Sequence, residues 1–287
     1  AAGDRLEVLA DGTIEAVNQG NEIRCDLDLL AGSLVRLDSS AVLSFTRDSG
    51  TMRATLAGGT IVGPGTLSVG PHAELRGFGR IDADIGGFTG GGDVVARDGL
   101  LQLNGSIAAI DSIGARGETG VLELTQPFDT SQALAPVNLG GGTVQGAALM
   151  LSDFGISGYG TVHNPVINDS VISSVDEPLV LTHPDSDWDG ATNSGVLSVG
   201  SGTIELQDNA RFDFAGTIEC DQGPDLFANG FELRPTSDST IDLVDGGFRS
   251  THSTQFHGTV QVDRGKLATG SLATLEASCK VIIADQL

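Results

Sequence analysis

The densest set of chemistry-bearing residues is the run Asp185-Ser186-Asp187-Trp188-Asp189-Gly190-Ala191-Thr192-Asn193. Carboxylates at alternate positions followed by glycine match the first half of a calcium loop. A hard cation takes oxygen ligands, and the glycine makes the sharp turn that lets the next carbonyl join them. The pattern predicts Asp185, Asp187 and Asp189 as side-chain ligands of Ca2+ and Ala191 as a carbonyl ligand. Asn193 follows as a ligand directly or through water. Val196 stands where such loops carry a bidentate Glu, so a further donor must come from elsewhere in the fold. The alternative is an acidic surface turn.

Other groupings give little chemistry. Glycoside hydrolysis needs two carboxylates at a set separation, whereas Asp82, Asp84, Asp242 and Asp245 stand as isolated acids with no cluster joining them to a histidine or arginine. A calcium-assisted elimination needs a basic residue beside the metal. His183 is near the Asp-rich run, but the nearest arginine is Arg211 and no lysine is close. His252 and His257 fall on opposite faces of a strand, which suits solvation better than metal binding. Gly77-Phe78-Gly79 leads into a strand pattern, while a phosphate fingerprint requires a helix. No catalytic or cofactor-binding residue is predicted, and a polysaccharide-active lyase or hydrolase is the alternative to a non-enzymatic chain.

Three cysteines make an odd count. Cys25, Cys220 and Cys279 each alternate with the apolar residues of a strand-like segment, so all three are predicted to point inward. A buried thiol, a Cys220–Cys279 bridge between neighbouring coils and an intermolecular bond are the open alternatives.

The elements that must position these residues repeat. Ile61-Val62-Gly63-Pro64-Gly65-Thr66-Leu67, Leu75-Arg76-Gly77-Phe78-Gly79-Arg80-Ile81 and Ile156-Ser157-Gly158-Tyr159-Gly160-Thr161-Val162 share one pattern. It predicts a strand, a tight corner and a strand, the recurring unit of a repeat protein. A second series, Gly-Thr-apolar-x-apolar, recurs at Gly65, Gly202, Gly216 and Gly258, with Gly12 a weaker copy. Its two apolar residues share one strand face, and the residue between them (Ser68, Glu205, Glu219, Gln261) points to water.

Glycine is abundant, at 41 residues, and the chain has 1 Trp and 1 Tyr. A solenoid fills its narrow interior with stacked Val, Ile, Leu and Ala, while a β-sandwich of this size places more large rings in its core. The expected fold is therefore all-β, a parallel β-helix, with tandem β-sandwiches as the alternative. Residues 1–287 are expected to form one continuous β-helix domain with loop excursions near 183–195 and 221–238. Coils of roughly 20 to 25 residues give on the order of a dozen coils.

The formal net charge is −23. Nucleic acid is excluded as a partner by that balance, since a phosphate backbone needs clustered Lys and Arg. No apolar run approaches the ~20 residues of a membrane-spanning helix. The opening Ala1-Ala2-Gly3-Asp4 carries no signal peptide and resembles what signal-peptidase cleavage leaves behind.

The alternation of residues 58–69 with residues 72–81 resembles the strand repeats of autotransporter and adhesin passenger domains. That resemblance covers about two thirds of the chain, as judged from the repeat pattern. It implies a right-handed parallel β-helix, secreted or displayed at the surface of a Gram-negative bacterium. The run Phe227-Ala228-Asn229-Gly230-Phe231-Glu232 is similar to a short motif near the ends of secreted bacterial proteins, and implies the same compartment. The functional expectation is a non-enzymatic structural or adhesive component of an extracellular layer or fibre. It would contact cell-surface or matrix polysaccharide and self-associate end to end through its terminal coils into filaments.

Overall fold

The computed structural model describes residues 5–47, 50–86, 91–207, 212–221, 223–229, 233–252, 254–263, 266–269, 273–275 and 280–284. Among these the chain is wound in parallel stacked coils as a β-solenoid of about 12 turns. Parallel pairing runs through both parts of the chain. That excludes sandwiches, which are built from antiparallel hairpins. The chain divides into two compact units, Ala1–Ala147 and Ala148–Leu287, each with its own stacked core.

In the first unit the alternation of apolar and polar residues becomes vertical columns. Leu27 pairs with Ala54, Ala54 with Leu75, Leu75 with Val94 and Val94 with Ile113, and all five are buried. A second column runs Leu29, Leu56, Gly77, Ala96 and Ala115. The small residues at its centre narrow the interior where the strands bend. A separate five-stranded parallel sheet runs beside the earlier coils and contributes Leu43, Leu67 and Ile85 to the core. Full burial of one such aliphatic side chain contributes about 1.5–3 kcal/mol, so each coil is held chiefly by its neighbours.

The first glycine motif makes the corner expected of it, with Gly63-Pro64-Gly65 turning the chain between strands Met52–Val62 and Thr66–Val69, but the other two do not. Ala73–Ile81 is one continuous strand that includes Gly77-Phe78-Gly79, and Ile156–Val162 includes Gly158-Tyr159-Gly160. The glycines kink a strand in passing and bring adjacent backbones close.

In the second unit Ile172, Leu197, Ile218, Ile241 and Val260 form the corresponding buried column. Its outward neighbours are Ser173, Ser198, Glu219, Asp242 and Gln261. The segment expected as an excursion near 221–238 carries strands. Asp225–Asn229 lies in register with Ile204–Gln207, and Leu233–Pro235 with Phe212–Phe214. Its Leu226, Ala228 and Leu233 are buried, so apolar parity persists through a polar and proline-containing sequence. The segment near 183–195 is mostly turn, yet Asp187 bridges Ile167 in parallel and continues the stack by one contact.

No helix among the described residues is long and apolar enough to cross a membrane.

Candidate functional site

The Asp-rich run is tied to the second unit by buried polar contacts. Asn168, fully buried, donates from Nδ2 to the Trp188 carbonyl at 2.9 Å and accepts from the Ser170 amide at 3.2 Å. Trp188 is itself fully buried, and its indole N–H has no hydrogen-bond partner. Asp169, which sequence inspection overlooked, holds the far half of the turn. It accepts from the Thr192 amide and hydroxyl at 2.9 and 2.7 Å, and those bonds, the hydroxyl first, hold its carboxyl below the usual range.

The structure brings two of the predicted ligands together. Asp189 is buried and accepts a hydrogen bond from the Ala215 amide of the next coil. Asp187 accepts from the Gly190 amide at 3.0 Å and shares a hydrogen bond with Asp189. Burial first, and then Asp187, push the Asp189 carboxyl up to about 6. Asp185 stands apart, exposed, with its amide donating to His183 Nδ1 at 3.1 Å. Ala191 and Asn193 are also exposed. No three His, Cys, Asp or Glu side chains are grouped to hold a metal ion among the described residues. As placed, Asp187 and Asp189 form a neighbouring carboxyl pair inside a stapled turn.

A second site lies in the first unit. A cleft of about 310 Å3 is lined by Thr51, His72, Ala73, Glu74, Gly92, Asp93, Asp111 and Arg116. Successive coils supply its groups. Arg53 lies beside Glu74 and Glu74 beside Asp93 in strand register, and the Ser112 hydroxyl donates to Asp93 Oδ1 at 2.6 Å. Arg76 and Arg116 approach Glu74 from two sides, at 3.6 and 3.9 Å. Burial, and then the charge of Asp93, raise the Asp111 carboxyl above its usual range, while His72 acts in the opposite direction. A shallower cleft of about 270 Å3 beside it is lined by Arg5, Asp26, Asp28, Arg53, Thr55 and Arg76. There Arg5 pairs with Asp28, and the Arg53 amide donates to Asp26 Oδ1 at 3.0 Å.

The acids expected to stand alone are not all isolated. Asp82 accepts from Arg80 Nε and Asn104 Nδ2, both at 2.6 Å, and Asp84 from the Ser106 amide and hydroxyl. Asp242 sits with Glu219, Asp221 and Asp263; burial first, then mutual repulsion, raises both Glu219 and Asp242. Asp245 also has a contact of its own. His252 is exposed as expected, whereas His257 is half-buried with Nε2 enclosed and unpartnered. Arg211, Cys279 and residues 230–232 lie outside the described residues, and with them the Cys220–Cys279 pairing.

Cys25 and Cys220 are free thiols. Cys220 is fully buried as parity predicts, and Cys25 half-buried. Burial, followed by neighbouring carboxylates, pushes the Cys220 thiol up to about 12. A thiol-reactive dye at pH 8 is therefore expected to label Cys25 in the folded chain and to reach Cys220 only on unfolding. Peptide mapping checks this, and rapid labelling of Cys220 in the folded chain would contradict the burial.

Taken together, these features define a β-solenoid with an open polar cleft on one sheet and a stapled carboxyl pair in a turn. No family model matches the chain, and neither a curated protein nor a solved structure matches it.

Proposed function

We propose that the chain is a secreted, non-enzymatic structural and adhesive solenoid that contacts polysaccharide of a cell surface or extracellular layer. One observation carries this reading. The outward strip Arg5, Asp26, Arg53, Glu74 and Asp93 presents one polar side chain per coil, in register over successive coils of the first unit. A row of donors and acceptors at the ~4.8 Å strand spacing suits an extended, hydroxyl-bearing polymer better than a compact small molecule. Retardation of the intact chain in native gels cast with neutral or acidic polysaccharides tests it. Arg53→Glu should reduce retardation by an acidic polymer by about fivefold, a loss of about 1 kcal/mol of binding. No retardation by any polymer of a broad panel would remove the adhesive reading.

A second reading, polysaccharide cleavage, is favoured by the cleft alone. Asp111, with a raised carboxyl, lies beside Asp93 with His72 close by, and acetal hydrolysis uses a pair of carboxyl groups, one of them a general acid. New reducing ends that appear with wild type and vanish with Asp111→Asn would establish it.

The adhesive reading includes self-association through the edges of the outermost coils, since a strand edge offers unpaired N–H and C=O groups. Concentration-dependent sedimentation tests that part. Calcium belongs to the proposal as a stabilising ligand recruited by Asp185, Asp187 and Asp189, in competition with the proton that the raised Asp189 carboxyl takes up as pH falls through about 6. A melting temperature that rises in calcium, falls in chelator and stops responding in Asp187→Ala is the expected result.

A further inference from the structure

The two units contain the same local construction, and nothing described so far accounts for it. In the first, Gly77 pairs with Ala96 and Gly79 with Leu101, so Arg97-Asp98-Gly99-Leu100 lies opposite the single residue Phe78. In the second, Gly158 pairs with Ser174 and Gly160 with Leu179, so Val175-Asp176-Glu177-Pro178 lies opposite Tyr159. In both, the second inserted residue is an aspartate in the left-handed region, Asp98 at φ 61° and Asp176 at φ 68°. Both rings are half-exposed and both aspartates exposed. Each insertion also exposes a large aliphatic side chain, Leu100 at 45% and Val175 at 38%.

A local bulge of this size costs ladder hydrogen bonds, and each bulge redirects side chains outward. The longer corner is kept in the coil that follows, where residues 117–120 and 200–203 occupy it between paired strands, so in each case the aromatic residue sits at the step from a short corner to a long one. The Phe78 ring lies against the backbones of Gly58 and Gly99, where a Cβ would stand 3.4 and 3.1 Å from its nearest ring carbons. The ring is thus braced by the coils before and after its own. What each construction shows to solvent is an aromatic ring, one aliphatic side chain and a carboxylate acceptor.

We propose that Phe78 with Asp98 and Tyr159 with Asp176 are two equivalent binding sites for an uncharged sugar ring. A pyranose has one face of C–H groups and a rim of hydroxyls. The ring and the aliphatic side chain receive the apolar face, and the aspartate accepts a hydroxyl proton. An anionic sugar is disfavoured, since Asp176 and Glu177 flank the second site. This deepens the adhesive reading by naming a ligand class and the residues that take it. Each unit carries one such site.

The test uses the full chain with a soluble neutral polymer, hydroxyethyl cellulose or dextran, in affinity gels, and matched oligosaccharides by calorimetry. Wild type should be retarded, and Phe78→Ala or Tyr159→Ala should each remove one site, halving the number of oligosaccharides bound per chain in calorimetry and weakening polymer retardation by about twofold or more. The double variant should lose it. Asp98→Asn and Asp176→Asn leave the left-handed backbone tolerable and should weaken binding several-fold without a change in melting temperature. Phe78→Tyr and Tyr159→Phe should retain it. Binding unchanged in the double variant would overturn the assignment while leaving adhesion intact. So would retardation by acidic polymers alone. Retardation by no polymer would end both readings.

Discussion

Gly77→Ala is expected to destabilise the amino-terminal unit by about 4 kcal/mol, a large share of a typical domain's stability. The added Cβ would lie 1.9 Å from the Leu56 carbonyl oxygen, and the residue sits at φ 114°. Leu56 is its partner in the preceding coil, so the obstacle is backbone already fixed in a ladder and cannot swing aside. Gly20→Ala is the control. It also has a positive φ, at 85°, but nothing lies within 4 Å of the new methyl. Only the left-handed conformational cost of about 1 kcal/mol applies there. Urea unfolding of both variants, compared at equal m, separates the two terms. Equal losses would show that the coils are not as close as the structure places them.

Asp189→Asn is expected to stabilise the chain at pH 7.5 by about 3 kcal/mol and to change nothing at pH 4. The Asp189 carboxyl titrates at about 6 in the folded chain, against an ordinary value of 3.8. The folded state therefore holds the proton more tightly than the unfolded state. Stability from this group is complete below 3.8, declines as pH rises towards 6, and stays low above it. An amide keeps both roles at any pH, accepting from the Ala215 amide and donating to Asp187. Burial and repulsion give Glu219 and Asp242 the same sign, so the variant should flatten the pH profile without abolishing it. Unfolding midpoints at the two pH values decide the matter. A variant less stable than wild type at pH 7.5 would mean that the ionised carboxylate is needed there.

The fold was legible because its rule is local. Ile218 and Cys220 were assigned inward and Glu219 outward from parity alone, and all three stand so. The second and third glycine motifs were recognisable as repeats but not as kinks within strands, because φ at Gly77 depends on how close the Leu56 backbone lies. The cleft of the first unit was not legible. His72, Asp93 and Asp111 come from successive coils of unequal length, so no fixed spacing links them. Only the register that sets Glu74 beside Asp93 reveals the grouping. The Asp-rich run was visible as chemistry, but alternation alone could not show that Asp187 joins the stack through Ile167 while Asp185 stays in solvent.

The columns have a mechanical consequence. Within either unit, the hydrogen bonds between successive coils point along the stacking direction, and few contacts skip a coil. A load applied along that direction meets the bonds of one coil interface at a time, as in a zipper, and the coils peel off singly at low force. A load applied across the coils shears many interfaces together and meets far greater resistance. A solenoid of this kind is therefore compliant along one axis and stiff across it, and whatever it holds on its outward face is retained best when pulled sideways.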